Sequence, residues 1–252
     1  MSETGELERM AAGLGVTVKP EEAALLGRFE QLLLSANQET NLTRIVEHRE
    51  VLIKHHLDSL TAFLAVDIPA GGRVVDVGSG GGLPGIPLKI HRPDLGVSLL
   101  ESSRKKCEFL RAAARELALP GLEVLEGRAE DLGRQPEYRE SFDVAVARAV
   151  AHLAVLAEIC LPLVKVGGAL VAMKGAGGEG EAGEATEAIE AVGGNLARVL
   201  RVTLPEGEGD RAIVVIQKVS ATPGRFPRKA GIPQKRPLGL AAGPRRSPGD
   251  HE

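Results

Sequence analysis

The chain has 252 residues, 43% of them hydrophobic and 26% charged, and a formal net charge of −3 at pH 7. A chain of this length hides roughly three quarters of the surface its unfolded form exposes, enough for one α/β core that needs neither disulfides nor a metal for stability. The acidic start, MSETGELERM, lacks the basic and apolar regions of a secretory signal, and no stretch approaches roughly 18 uncharged apolar residues, so a soluble, cytoplasmic protein is expected.

Residues 1–70 read as a helical N-terminal region. Pro20 followed by Glu21 and Glu22 suits a first helical turn, because proline lacks only a donor that would go unused there and carboxylates favour the positive end of the helix dipole. Leu25, Phe29, Leu32 and Leu33 then recur at helical spacing. A second helix is predicted over Glu47 to Ala65, with Leu52, Leu60, Phe63 and Leu64 among its apolar positions, and Gly71 and Gly72 end it.

The next stretch, RVVDVGSGGGLPGIPLKI from Arg73 to Ile90, is the most informative in the chain. A strand carrying Asp76 runs into Gly78, Gly80 and Gly82, giving D-x-G-x-G-x-G before a helix opened by Pro84. Such glycines let the backbone turn tightly and approach a ligand, and the helix start offers unpaired N–H groups to something polar. NAD and S-adenosylmethionine compete for a loop of this kind. Glu101, at the end of the second strand, is a carboxylate able to accept both ribose hydroxyls of either one. Asp76 ahead of the loop, and a sheet that finishes in a hairpin instead of a second mononucleotide-binding half, favour S-adenosylmethionine.

Strands are predicted at Arg73 to Val77, Val97 to Leu100, Leu122 to Leu125, Phe142 to Ala147 and Ala169 to Met173. Helices fall between them, near Gly85 to His91, Ser103 to Leu119, His152 to Leu163 and Gly183 to Val192. This βα alternation implies a parallel sheet covered on both faces. Leu196 to Leu204 and Ala212 to Val219, joined by PEGEGD, read as an antiparallel hairpin, and the glutamates between Glu179 and Glu190 as a solvated helix face. The division expected is a helical region over 1–70, a ligand-binding α/β domain over 71–219 and an arm over 220–252.

The near-neutral total conceals a polarised chain. From Lys218 to Glu252 eight cations face two carboxylates, so this end carries +6 and the remainder −9. Pro223, Pro227, Pro233, Pro237, Pro244 and Pro248 oppose regular structure in the arm, and the sequence past Leu238 reads as disordered. Arg225, Arg228, Lys229, Lys235 and Arg236 are placed to neutralise phosphates, which gives salt-sensitive affinity without sequence readout.

The loop DVGSGGGLPGIPLKI, together with NLT at Asn41 to Thr43, HHLDSL at His55 to Leu60, LLESSRKKCEFL, GRAED, ARAVA, MKG and FPRKAGIPQKRPL, resembles the small-subunit ribosomal RNA methyltransferase G family, also called glucose-inhibited division protein B. The resemblance runs from about Leu32 to Leu238. It implies a Rossmann-like class I methyltransferase fold of the α/β type, with a mainly parallel seven-stranded sheet ending in an antiparallel hairpin. It also implies transfer of the methyl group of S-adenosyl-L-methionine to N7 of the guanine at conventional position 527, in the 530 loop of 16S rRNA. By the resemblance Gly78, Gly80 and Leu83 meet the cofactor from the first loop, Glu101, Ser102 and Ser103 hold the ribose, Ala129 and Glu130 border the adenine, and Arg148 closes the site. Where the family carries Trp this chain has Ala36, so no aromatic stacking is expected there.

Absences narrow the chemistry. Cys107 and Cys160 lie in helical, apolar surroundings with no CxxC spacing, which reads as two packed thiols and gives neither a metal site nor an activated nucleophile. No (D/N/S)PP(Y/F) motif follows the fourth strand, where the chain reads ARAV, so exocyclic amine methylation is not indicated. Guanine N7 already exposes an in-plane lone pair, so alignment with the methyl donor suffices and no general base is named. Arg148 and Lys174 are candidates to orient guanine through O6 or to hold phosphate, with Asn41, His55 and Asp58 framing the pocket. The partner expected is 16S rRNA or the small ribosomal particle, approached by a monomer without metal or membrane. The competing readings are an RNA-binding assembly factor without turnover and an NAD-dependent oxidoreductase.

Overall fold

A computed structural model describes residues 3–240. The end of the arm expected to be disordered, from 241 onward, lies outside the described residues.

Seven strands form one sheet: β1 (Arg73–Val77), β2 (Gly96–Glu101), β3 (Leu122–Glu126), β4 (Phe142–Arg148), β5 (Val164–Gly175), β6 (Gly194–Thr203) and β7 (Asp210–Lys218). Their order is β3-β2-β1-β4-β5-β7-β6, with β1 to β5 parallel and β7 antiparallel to both β5 and β6. The expected α/β class, parallel sheet and terminal hairpin are all present. β5 starts earlier than predicted, at Val164, because Gly167 and Gly168 interrupt its apolar run without ending it. Gly168 has no room for a side chain, since a Cβ there would lie 2.3 Å from the Asp143 carbonyl oxygen.

Alternation along the central strands sorts the core into two layers. Val74, Val97, Leu99, Val144, Val146, Val171 and Ile213 face one way, onto α1 (Glu3–Gly13), α2 (Pro20–Asn37), α5 (Gly85–His91) and α6 (Arg104–Glu116). Val75, Val77, Ala145, Leu170, Ala172, Val214 and Ile216 face the other, onto α8 (Leu153–Cys160) and the short α9 (Gly178–Glu184) and α10 (Thr186–Ala191). The helical start therefore covers one face of the sheet: Leu26, Phe29 and Leu33 are fully buried in the same cluster as Val74 and Leu99. Each such side chain contributes about 1.5–3 kcal/mol on burial. On α9 and α10 the glutamates 179, 184, 187 and 190 are exposed while Ala182, Ala188 and Ile189 are buried, the solvated face the sequence suggested.

The long helix predicted over Glu47 to Ala65 is segmented. It runs as α3 (His48–Val51), a π-helical turn at Leu52–Leu57, α4 (Asp58–Leu60) and a 3₁₀ turn at Thr61–Leu64. The widened turn releases backbone carbonyls from the i→i−4 ladder. Arg148 Nη1 captures that of Lys54 at 2.8 Å, and Ser59 Oγ that of His55 at 2.5 Å.

As its prolines suggested, the arm is mostly irregular, and it is packed onto the domain. Phe226, Pro227 and Pro233 are buried, and one helical turn, α11 (Ile232–Lys235), carries Pro233 in its first turn. Arg139 donates to the carbonyls of Thr222 (2.6 Å) and Phe226 (2.9 Å), and Glu140 accepts the Thr222 N–H at 2.6 Å. These contacts strap the arm across α8 and the short α7 (Ala129–Leu132).

Candidate functional site

The carboxyl ends of β1, β2, β3 and β4 and the loops after them form one edge, where ligands of open α/β sheets bind. Asp76 is wholly buried below the glycine loop. Its Oδ2 accepts the Gly85 N–H at 2.9 Å, and its Oδ1 has no partner among the described residues. Burial pushes this carboxyl up to about 6, against the opposing pull of the Gly85 N–H and the Arg148 guanidinium. Glycine is required at 85 by space, since a Cβ would stand 2.3 Å from Leu99 Cδ2 and 2.8 Å from Asp76 Oδ2.

Above the loop lies a cradle of about 90 Å³ lined by Gly78, Glu101, Ser102, Ala129, Glu130 and Val150, among others. Glu101 ends β2 and is fixed by two backbone donors, Gly80 N–H at 3.0 Å on Oε2 and Ser103 N–H at 2.8 Å on Oε1. A carboxylate held in this way keeps lone pairs for a vicinal diol. Ala129, Val150 and Ile159 supply apolar wall for a planar ring. These features, with the room that the bare Gly78 backbone leaves, fit a nucleoside with a polar tail. A larger cavity of about 480 Å³ shares Arg128, Glu130, Val150 and Ile159 with the cradle and is closed on its far side by Ala230, Gly231 and Lys235 of the arm. Glu130 Oε1 accepts the Gly231 N–H at 2.9 Å, so the arm is hydrogen-bonded to the cradle wall.

Next to Val150 a second pocket of about 420 Å³ opens, lined by His55, Asp58, Arg148, Lys174, Glu181 and Arg211, among others. Asp58, nearly buried, bridges two guanidiniums, with Oδ2 2.9 Å from Arg148 Nη1 and Oδ1 3.1 Å from Arg211 Nε. Lys174 pairs with Glu181 at 2.7 Å and donates to the Ala151 carbonyl at 2.5 Å. His55 meets Thr43 Oγ1 through Nε2 at 2.8 Å. Burial lowers His55 to about 4 and His56 to about 3, so both are neutral at pH 7. Four cations, Lys54, Arg148, Lys174 and Arg211, outnumber the two carboxylates, Asp58 and Glu181, around a neutral imidazole, a set suited to a base carbonyl or a phosphate.

Most of the residues expected from sequence converge on this edge, and some do not. Gly78, Glu101, Ser102, Ala129 and Glu130 line the cradle, while Arg148 and Lys174 line the cationic pocket. Gly80 and Ser103 act one step back, through Glu101. Leu83 is 8% exposed and packs in the first core cluster. Asn41 lies outside the cationic pocket, on a separate surface hollow with Leu42, Thr43 and Arg44. Arg228 requires a correction as a phosphate ligand: its Nε and Nη2 lie 2.7 and 2.5 Å from the carboxylate of Glu158, which has no exposure, so its charge is spent inside the protein. Lys229, Lys235 and Arg236 are exposed. Both cysteines are buried; burial raises the Cys107 and Cys160 thiols, which leaves them protonated. Sequence reasoning missed Arg211, whose only signal was a cation at the start of the last strand, and Val150, which had none.

The family model described as rRNA small subunit methyltransferase G matches residues 22–211. A protein of Moorella thermoacetica named ribosomal RNA small subunit methyltransferase G is 51% identical over 224 residues, covering 89% of this chain and 93% of the relative. One of the same name from Pelotomaculum thermopropionicum is 46% identical over 228 residues, 90% of this chain and 95% of the relative. Among solved structures, a SAM-dependent methyltransferase from Aquifex aeolicus superposes with a TM-score of 0.51 at 16% identity, covering 76% of this chain and 97% of that one, a likeness of fold.

Proposed function

The chain belongs to the rRNA small subunit methyltransferase G family, and on that premise we propose that it transfers the methyl group of S-adenosyl-L-methionine to N7 of a guanine in the 530 loop of 16S rRNA. The observation that carries this reading is adjacency. A nucleoside-shaped cradle and a cationic pocket lie on either side of one short turn, Arg148 to Ala151. Glu101 is the ribose acceptor, Ala129 and Glu130 border the adenine, and Gly78 leaves room for the amino-acid tail. The cofactor, when bound, supplies a methyl group on a positively charged sulfur. In the neighbouring pocket Arg148 and Lys174 orient the guanine through O6, leaving the N7 lone pair free. The new N–C bond forms as the S–C bond breaks, and no proton has to leave the base. Since no group here needs to act as a base, the neutral His55 and the bridged Asp58 shape the pocket and do not transfer protons. Catalysis then rests on alignment, to which well-oriented intramolecular reactions attribute about 7–11 kcal/mol.

The unit that binds cofactor and reacts is the stretch 71–219, and the exposed cations of the arm, Arg225, Lys229, Lys235 and Arg236, steer the RNA backbone. The protein acts as a monomer without a metal. Incubation with methyl-labelled S-adenosylmethionine and unmodified small-subunit RNA or particles, followed by cleavage at 7-methylguanine, tests the reading. Label at a single guanine of the 530 loop is expected; absence of label from both substrates overturns it.

A further inference from the structure

The turn between the two pockets is itself unusual. Ala149 holds φ at 55°, a left-handed conformation that costs an L-residue with a Cβ. Beyond it, Val150 exposes 37% of an apolar surface, and its side chain stands over the cofactor loop: a Cβ on Gly78 would lie 2.9 Å from Val150 Cγ2. Val150 lines both the cradle of about 90 Å³ and the adjoining cavity of about 480 Å³, at the point where the two meet. A donor lying across Gly78 therefore meets the Val150 side chain, which stands between the cradle and the bare loop backbone.

The same four residues are wired to the other pocket. Arg148 and Ala149 line the cationic pocket, Val150 lines the cradle, and the Ala151 carbonyl is held by Lys174, which reaches it from the cationic side. Val150 thus sits in the chain between Ala149, which follows Arg148, and Ala151, whose carbonyl Lys174 holds.

Building on the functional reading above, we propose that Val150 is a positioning residue that occupies the methyl donor's place at rest. Its displacement by the donor draws Arg148, Ala149 and Lys174 into the arrangement that receives the base, so the donor binds first and strengthens RNA binding. By linkage, RNA strengthens donor binding by the same factor. A side chain that is only a wall of the cradle makes the opposite prediction for its own removal, which is what makes the idea testable.

The test measures equilibrium binding on the full chain, with S-adenosylhomocysteine by calorimetry and with unmodified small-subunit RNA by filter retention, each with and without the other. For the wild type, S-adenosylhomocysteine is expected to tighten RNA binding about tenfold, within the usual range of coupling between sites. Val150→Ala empties the cradle, so S-adenosylhomocysteine alone binds several-fold tighter and the coupling shrinks to less than twofold. Ala149→Gly removes the cost of the resting conformation and so favours it, weakening S-adenosylhomocysteine about fivefold, the equivalent of one left-handed residue. Weaker S-adenosylhomocysteine binding by Val150→Ala overturns the proposal, as does equal RNA affinity with and without it in the wild type. Should wild-type protein bind neither ligand, the functional reading itself fails; binding of both without coupling defeats the positioning role alone.

Discussion

At the scale of single residues the most informative group is Asp76, a carboxylate fully buried beneath the glycine loop with one oxygen unpartnered among the described residues. Its folded value of about 6, against an ordinary 3.8, means that the folded protein holds this proton more tightly than the unfolded chain does. The sign follows from linkage: the group is neutral to stability below the unfolded value, and its cost grows as pH rises from about 4 to 6. Above that range the penalty is of order 3 kcal/mol. Asp76→Asn keeps an oxygen for the Gly85 N–H and removes the charge. The variant is expected to match wild type in urea denaturation near pH 4 and to exceed it by about 2–3 kcal/mol at pH 7. A difference that stays flat across this range would remove Asp76 as the titrating group. The sequence marked Asp76 as the acid ahead of the loop, yet its titration depends on how completely Leu99, Ile86 and the loop backbone exclude water, and no local pattern encodes that.

At the scale of elements, the parallel strands and α5 were legible because period-two and period-3.6 patterns decide them locally. Two elements were not. The helix after Glu47 has apolar and polar residues buried almost all round from Val51 to Leu60, so its apolar spacing cannot distinguish an α turn from a π turn. The π turn is accompanied by a contact distant in sequence, Arg148 donating to the Lys54 carbonyl. The packing of the arm was hidden for the same kind of reason. Phe226, Pro227 and Pro233 are isolated apolar residues without period, and the groups that hold them, Arg139, Glu140 and Glu158, stand some 70 to 87 positions away. Glu158 is the fastening point. Truncating Arg228 to Ala leaves its carboxylate buried without a cation, which costs about 3–5 kcal/mol and outweighs what the arm gains from burying Phe226. Trypsin is therefore expected to cut the Arg228→Ala variant after Arg225 and Lys229 at least tenfold faster than wild type, while Arg225→Ala leaves the cut after Lys229 at the wild-type rate. Equal cleavage of Arg228→Ala and wild type would show that the pair does not hold the arm.

At the scale of the whole molecule, the polarised charge gives the RNA reading its measurable form. With Arg228 committed to Glu158, the cations left for phosphate among the described residues of the arm are Lys229, Lys235, Arg236 and Arg225, the last lying over the Phe226 ring at 4.9 Å. Replacing Lys229, Lys235 and Arg236 together with Ala should weaken RNA binding and lower the slope of log affinity against log salt by about 2, at about 0.7 per single-strand phosphate contact. Cofactor affinity should stay within twofold; an unchanged slope would place the RNA elsewhere. The strand order carries a different consequence, for synthesis. β7 is the last strand among the described residues, yet it lies between β5 and β6, and no register joins those two directly. A nascent chain that has not yet emerged through Lys218 therefore carries two open strand edges, and strands left in that state pair readily with other chains. Closure of the sheet and docking of the arm that follows it are thus late, nearly simultaneous events on the translating ribosome, and until then the polypeptide depends on its surroundings to keep those edges apart.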